Sequence, residues 1–248
     1  MMGRRLFGPS NSVVLLYDFV GENELEKLRQ HLEEVERYYR FGTLASLVEN
    51  QAKKKMGIAA VVFKHPRKSV FLRAVPELVS RGIPFTLFLQ PDTVGTNRLP
   101  LSEELELFAK GYPNQKDSFL LRIAQADTDP ASVDEFLKQC RATVGPLPIH
   151  VANPEDFFVS WGKIVDIPKN LRELGLHFSP RLLEGNFATK ERKFVMDQTN
   201  SQPRLLYSSS GIADSARRVP GIIACLTPHK GAVERGTDPF DLPQWSIE

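Results

Sequence analysis

Short apolar runs alternate with amphipathic stretches along the first 90 residues. SVVLLYDFV, Ser12 to Val20, is apolar and β-branched up to Asp18, the pattern of a buried strand. After Gly21, ENELEKLRQHLEEVERYYR places Leu25, Leu28, Leu32 and Val35 three and four residues apart, which predicts an amphipathic helix. TLASLVENQ predicts a second, short helix capped by Thr43, and MGIAAVVF a second buried strand. The helix VFLRAVPELVSRG follows, with Ser69 as its cap, Gly82 as its stop and Pro76 marking a kink or a later start. IPFTLFLQ predicts a third strand. Strand, helix, strand, helix, strand with short connections argues for a parallel sheet or barrel with helices outside.

The pattern changes between Leu101 and Cys140. SEELELFAKG, KDSFLLRIAQA and DPASVDEFLKQCRA predict three helices with no buried strand between them, a helical insertion in the α/β frame. EDFFVSWGKIVDI and PKNLRELG predict further helices, the second stopped at Gly175. The last third predicts strands in LHFS, PRLLYSSSG and IIACLTPHKG, with a helical turn in DSARRVPG.

Composition narrows the class. In 248 residues, 32 Lys and Arg against 30 Asp and Glu leave a formal charge of +2, which argues against nucleic acid or an anionic membrane as the main partner. Apolar runs are too short for a membrane span, and the opening residues lack a signal-peptide cleavage pattern, so the expected setting is cytoplasmic. Cys140 and Cys225 show no metal-like spacing and are expected to be small buried hydrophobes rather than a disulfide.

Candidate chemistry gathers where the second strand ends. VVFKHPRKS passes from three apolar residues to Lys64, His65, Arg67 and Lys68, either a solvated basic loop or the carboxyl end of a strand that meets a ligand. His65, His177 and His229 each follow or lie within an apolar run, so their strand ends could share a face. Imidazole suits zinc and its neighbours, yet no His-Glu-x-x-His spacing is present, and Lys64 beside His65 disfavours a dication. His31 reads as solvated surface and His150 as structural. YSSSG, from Tyr207 to Gly211, departs from Gly-x-Ser-x-Gly and reads as a polar turn. Trp161 and Trp245 could stack on sugars, with core packing the simpler reading. No phosphate-cradling glycine motif occurs.

Four stretches together resemble the NodB-like polysaccharide deacetylase family, which acts on N-acetylated sugars. AAVVFKHPRKSVFLRAVPELVSRGIPFTLFLQPDTVGT is similar to its central block of strand, Thr-Phe-Asp-Asp-Gly, helix and Phe-rich strand. VVLLYDFV and the helices after it resemble the family's opening. FFVSWGKIVDI and GIIACLTPHKGAVERGTDPFDLPQW resemble its later helix, terminal strand and tail. The likeness covers most of one domain, residues 1–248, outside the insertion around residues 101–150. It implies a distorted (β/α) barrel with fewer than eight regular strands.

The resemblance implies different chemistry from the family's. Its members hold a metal with one Asp and two His while a second Asp serves as base, so that metal-bound water attacks an acetamide. Here those aspartates fall on Lys64, at the general-base position, and His65, with Pro66 in place of the glycine. His177 stands for the first histidine of the second metal motif, whose other position is Ser179 or Pro180. Tyr207 and Ser208 match the groove motif Tyr-Pro, and Tyr17-Asp18 matches Tyr-His.

The reading is a pseudoenzyme of carbohydrate metabolism, without catalytic residues and without a cofactor. The expected partner is a carbohydrate, acidic glycans included, or a partner protein, with homo-oligomers also open. Its substrate-binding set is Asp18, Lys64, His65, Arg67, Tyr207 and Ser208. The alternative is a divergent zinc hydrolase of C–N bonds with a rebuilt site from His65, His177 and Asp18.

Overall fold

The computed structural model describes residues 11–96, 99–112, 114, 116–123, 125, 129–144, 157–178, 180–208 and 213–247. The first half runs β1 (Val13–Tyr17), α1 (Glu24–Glu36), β2 (Arg40–Phe41), α2 (Leu44–Ala52), β3 (Ile58–Phe63), α3 (Lys68–Ser80) and β4 (Phe85–Leu89). Helices α4 (Leu101–Gly111), α5 (Lys116–Ile123) and α6 (Pro130–Val144) form the insertion, and α7 (Trp161–Val165) follows. The second half runs β5 (Arg172–His177), a 3₁₀ turn at Pro180–Leu183, α8 (Phe187–Thr199), β6 (Leu205–Tyr207), α9 (Ala213–Ala216), β7 (Ala224–Lys230) and β8 (Leu242–Ile247).

Every strand pairing is parallel. The ladder runs β1, β8, β7, β6, β5, β4, β3, and β1 pairs again with β3 from Val13–Ala59 to Tyr17–Phe63, closing a seven-stranded barrel. Short β2 hangs on the amino-terminal end of β3. This is the distorted (β/α) barrel expected from the sequence, with helices outside and the insertion at 101–144.

Side chains alternate across the barrel wall. Val13, Leu15, Tyr17, Ala59, Val61 and Phe63 join Leu28 and Leu32 of α1 and Val70, Ala74 and Leu78 of α3 in the outer core. Val14, Leu16, Ala60, Val62, Phe88, Leu205 and Leu226 form the inner core, into which α2 sends Leu44 and Leu47. Thr43 caps α2, its hydroxyl accepting from the Ser46 amide at 3.1 Å. The Ala45 amide also donates to the half-buried Glu173 carboxylate, which accepts from the Thr86 hydroxyl at 2.6 Å. Glu173 and Thr86 are the second residues of β5 and β4, so α2 covers the amino-terminal mouth. The insertion has its own core of Leu105, Phe108, Phe119, Val133 and Leu137.

Several local expectations change. PKNLRELG is not a helix: residues 172–177 form β5, because Leu174 and Leu176 face the outer core while Glu173, Gly175 and His177 take the other face. That period of two was masked by the three-residue spacing of Leu171 and Leu174. Gly175 is therefore a strand residue, whose missing Cβ would meet the Phe88 ring at 2.4 Å. Helix α3 begins at Lys68 with Arg67 as its N-cap residue, and the Ser69 hydroxyl is buried without a hydrogen-bond partner rather than capping. Among the described residues of EDFFVSWGKIVDI, 161–165 are helical, whereas Phe158 is extended and bridges Arg67. Strand β8, in the polar tail LPQWSI, and β2 had no apolar run to announce them. Both cysteines are buried, as expected of small hydrophobes, and burial pushes the Cys225 thiol up to about 12. Among the described residues no helix is long and apolar enough to cross a membrane.

Candidate functional site

Strand alternation sets the floor at the carboxyl ends. Tyr17 and Phe63 face outward, so Asp18 and Lys64, one residue on, turn toward the barrel axis beside His177 and Tyr207, the last residues of β5 and β6. The Lys64 amide donates to the Tyr17 carbonyl at 3.0 Å, which continues the ladder one step past the strands. Pro66 and Lys68 are pinned in turn, as the Val159 amide donates to the Pro66 carbonyl and the Lys68 amide to the Phe157 carbonyl. The basic run is thus held as an ordered edge next to residues 157–159.

His65 lies between two rings. Phe158 stacks on one face at 5.1 Å and His177 on the other at 4.4 Å, within 3° of parallel. His177 donates from Nε2 to the Lys64 carbonyl at 2.7 Å, and Tyr207 packs edge-on to it. Imidazole lone pairs lie in the ring plane, so two stacked rings cannot aim them at one ion. A centre built on His65 and His177 together does not fit this geometry.

Arg67 is the hub. Its Nε donates to Asp18 Oδ1 at 3.1 Å, and its Nη2 lies 2.8 Å from Glu103 Oε2. His65 Nε2 stands 3.0 Å from Glu103 Oε1, and the other ring nitrogen, Nδ1, is buried without a hydrogen-bond partner. Lys64 Nζ is 4.0 Å from Asp18 Oδ2. Glu103 lies in the first turn of α4, so the insertion reaches back and completes the cluster. The sequence offered no pointer to it, because an acid in a first helical turn is ordinary complement to the helix dipole.

The electrostatics follow from this hub. Burial would raise the Glu103 carboxyl, but His65, Arg67 and Lys64 outweigh it and hold it at about 2. Burial lowers His65 and, more strongly, His177, so both imidazoles are neutral near pH 7. Burial alone would lower the Lys64 ammonium, yet Asp18, Tyr207 and Glu103 hold it above its ordinary value. Burial likewise raises the Tyr17 phenol.

Of the six residues expected to touch a ligand, Asp18 and Lys64 present side chains to solvent, 44% and 27% exposed. His65, Arg67, Tyr207 and Ser208 are buried beneath them. His229 stands apart, exposed and 2.8 Å from Asp241, whose Oδ1 also accepts from Thr227. His31 is partly buried rather than solvated. Trp161 and Trp245 pack against the outer core. His150, Ser179 and residues 209–211 lie outside the described residues, as does the Pro180 side chain.

The whole barrel superposes on solved deacetylases. IcaB from Ammonifex degensii matches with a TM-score of 0.62 and 18% identity over 98% of this chain and 94% of that one. The BpsB deacetylase domain from Bordetella bronchiseptica matches at 0.60 and 12% over 97% of each chain. The Streptococcus pyogenes deacetylase PplD, solved with acetate, matches at 0.57 and 11% over 97% and 93%. The chain has the NodB-like deacetylase fold. No family model matches it, and no curated protein matches it in sequence.

The deacetylase fold raises the question of a metal. Asp18, His65 and Glu103 each offer a ligand atom within 4.8 Å of the others, a grouping that includes neither His177 nor His229. Both carboxylates are, however, already bound by the Arg67 guanidinium, with the Lys64 ammonium beside Asp18. A dication in that grouping would face two fixed positive charges. With Arg67 in place the residues do not fit a metal.

Proposed function

We propose that this chain is a non-hydrolytic, glycan-binding protein built on the deacetylase fold. The observation that carries the reading is Lys64. A general base must offer a lone pair near neutral pH, and this ammonium is held above its ordinary value at the mouth of the barrel. Nearby carboxylates do not replace it: Glu103, at about 2, is too weak a base, and Asp18 is engaged by Arg67.

Binding would use the exposed lip. The Lys64 ammonium donates to a hydroxyl, carboxylate or sulfate of the sugar, Asp18 accepts from hydroxyls, and Phe19 beside it leaves an apolar surface 38% exposed for a ring face. His65, Arg67, Tyr207 and Ser208 support the lip from below.

The test is calorimetric titration with N-acetylated and with acidic oligosaccharides, alongside an acetate-release assay. Expected are saturable heat, lost in Lys64→Ala and Asp18→Ala, and no acetate above the buffer control. Acetate released at a rate that tracks protein concentration overturns the reading. A second reading, a metal-dependent hydrolase of N-acetyl C–N bonds, draws on the Asp18, His65 and Glu103 grouping. It requires Arg67 to leave both carboxylates, and metal-stimulated acetate release would establish it.

A further inference from the structure

We infer that Arg67 is the resident cation of this site, and that Asp18, His65 and Glu103 become a divalent-metal site only when its guanidinium is removed. The inference rests on the site proposed above to bind glycan, but it concerns which cation holds the floor together.

A single buried guanidinium touches both carboxylates, Asp18 at 3.1 Å through Nε and Glu103 at 2.8 Å through Nη2. That is the fork geometry suited to gathering carboxylates from separate chain segments, here the end of β1 and the first turn of α4. Two carboxylates face two cations, Arg67 and Lys64, so the cluster is balanced with a neutral His65. Removing the Arg67 charge leaves an excess of one negative charge and a donor set of two carboxylates and an imidazole, the ligand types that bind zinc or cobalt. One donor residue already carries a buried ring atom without a hydrogen-bond partner, His65 Nδ1. Arg67 is also anchored independently of its charge, since residues 66–68 pair with 157–159 through the backbone. Replacing its side chain therefore leaves the edge that carries His65 in place.

The test titrates the full chain with Co²⁺, read by visible absorption and by bound metal after dialysis, in wild type, Arg67→Met, Arg67→Gln, Arg67→Lys and Arg67→Met with Glu103→Gln. Wild type and Arg67→Lys are expected to retain no stoichiometric cobalt. Arg67→Met and Arg67→Gln are expected to bind one equivalent at least about 100-fold more tightly than wild type, with the melting temperature raised by the metal. Adding Glu103→Gln to Arg67→Met should abolish the gain.

One equivalent of metal in wild type overturns the inference, as does a folded Arg67→Met that binds no better than wild type. If neither neutral variant folds with or without metal, the inference is also wrong, because a divalent ion then cannot replace the guanidinium. Failure here is separable from failure of the glycan reading. Metal in a wild type that binds sugar and releases no acetate sinks only the inference, whereas acetate released by metal-free wild type sinks only the reading.

Discussion

His65 and His177 lie face to face, their ring centroids 4.4 Å apart and their planes 3° from parallel. The contact is tolerable because burial keeps both rings neutral. Their folded pKa values lie below the unfolded value of about 6.5, so the unfolded chain binds more protons in the window below it. Stability should therefore fall as pH drops through 6.5 toward 5, where a protein without such histidines stays flat. Urea melts across pH 5 to 8 check this, and His177→Phe should flatten the slope while keeping the stack.

Glu103 adds a second, lower window. Its folded value of about 2 lies below the ordinary carboxylate range, so its contribution is complete above about pH 4.3 and is lost as pH falls toward 2. At neutral pH, Glu103→Gln should destabilise by about 2–4 kcal/mol, somewhat less than breaking a fully buried pair, because it leaves the buried Arg67 guanidinium with Asp18 as its charge partner. A double-mutant cycle with Arg67→Met should give a coupling above about 1 kcal/mol, while two independent sites would add within about 0.5.

At the opposite mouth, Glu173 accepts from the Ala45 amide and the Thr86 hydroxyl. Burial raises its carboxyl, which makes the charge a cost and the hydrogen bonds the benefit. Glu173→Gln, which keeps an acceptor and drops the charge, should change stability by less than about 1 kcal/mol. Glu173→Leu leaves both donors unmatched and should cost about 1–3 kcal/mol. Equal losses for the two variants in chemical denaturation would show that the charge itself matters.

The barrel was legible in the sequence because β1, β3 and β4 are continuous apolar runs separated by amphipathic helices, a pattern with few alternatives. Of strand β5 only the end was, in LHFS, since RELGLH carries Arg172 and Glu173 into a wall where apolar residues were expected. Arg172 is buried and Glu173 half-buried, and both are bonded: the Arg172 guanidinium donates to the Thr199 carbonyl at 2.9 Å, and Glu173 accepts as described. At the site, VVFKHPRKS pointed to Lys64, His65 and Arg67 through its abrupt change of polarity. Glu103 stayed hidden because only the path of the insertion, which no local pattern encodes, brings α4 back over β3.

Gly175 shows how tightly the inner wall is drawn around that site. A Cβ there would lie 2.4 and 2.5 Å from two atoms of the Phe88 ring and 3.1 Å from the Leu205 carbonyl oxygen. Phe88 is fully buried and packs against Tyr207 and, edge-on, His177, so its ring has little room to retreat. Gly175→Ala should destabilise by about 1–3 kcal/mol, the range for overpacking a core. Because the displaced ring leans on His177, the change should also disturb the His65 stack, visible as shifted imidazole resonances. Combining it with Phe88→Leu, which opens space beside residue 175, should recover part of the stability; no recovery would mean that the Leu205 carbonyl is the blocking contact.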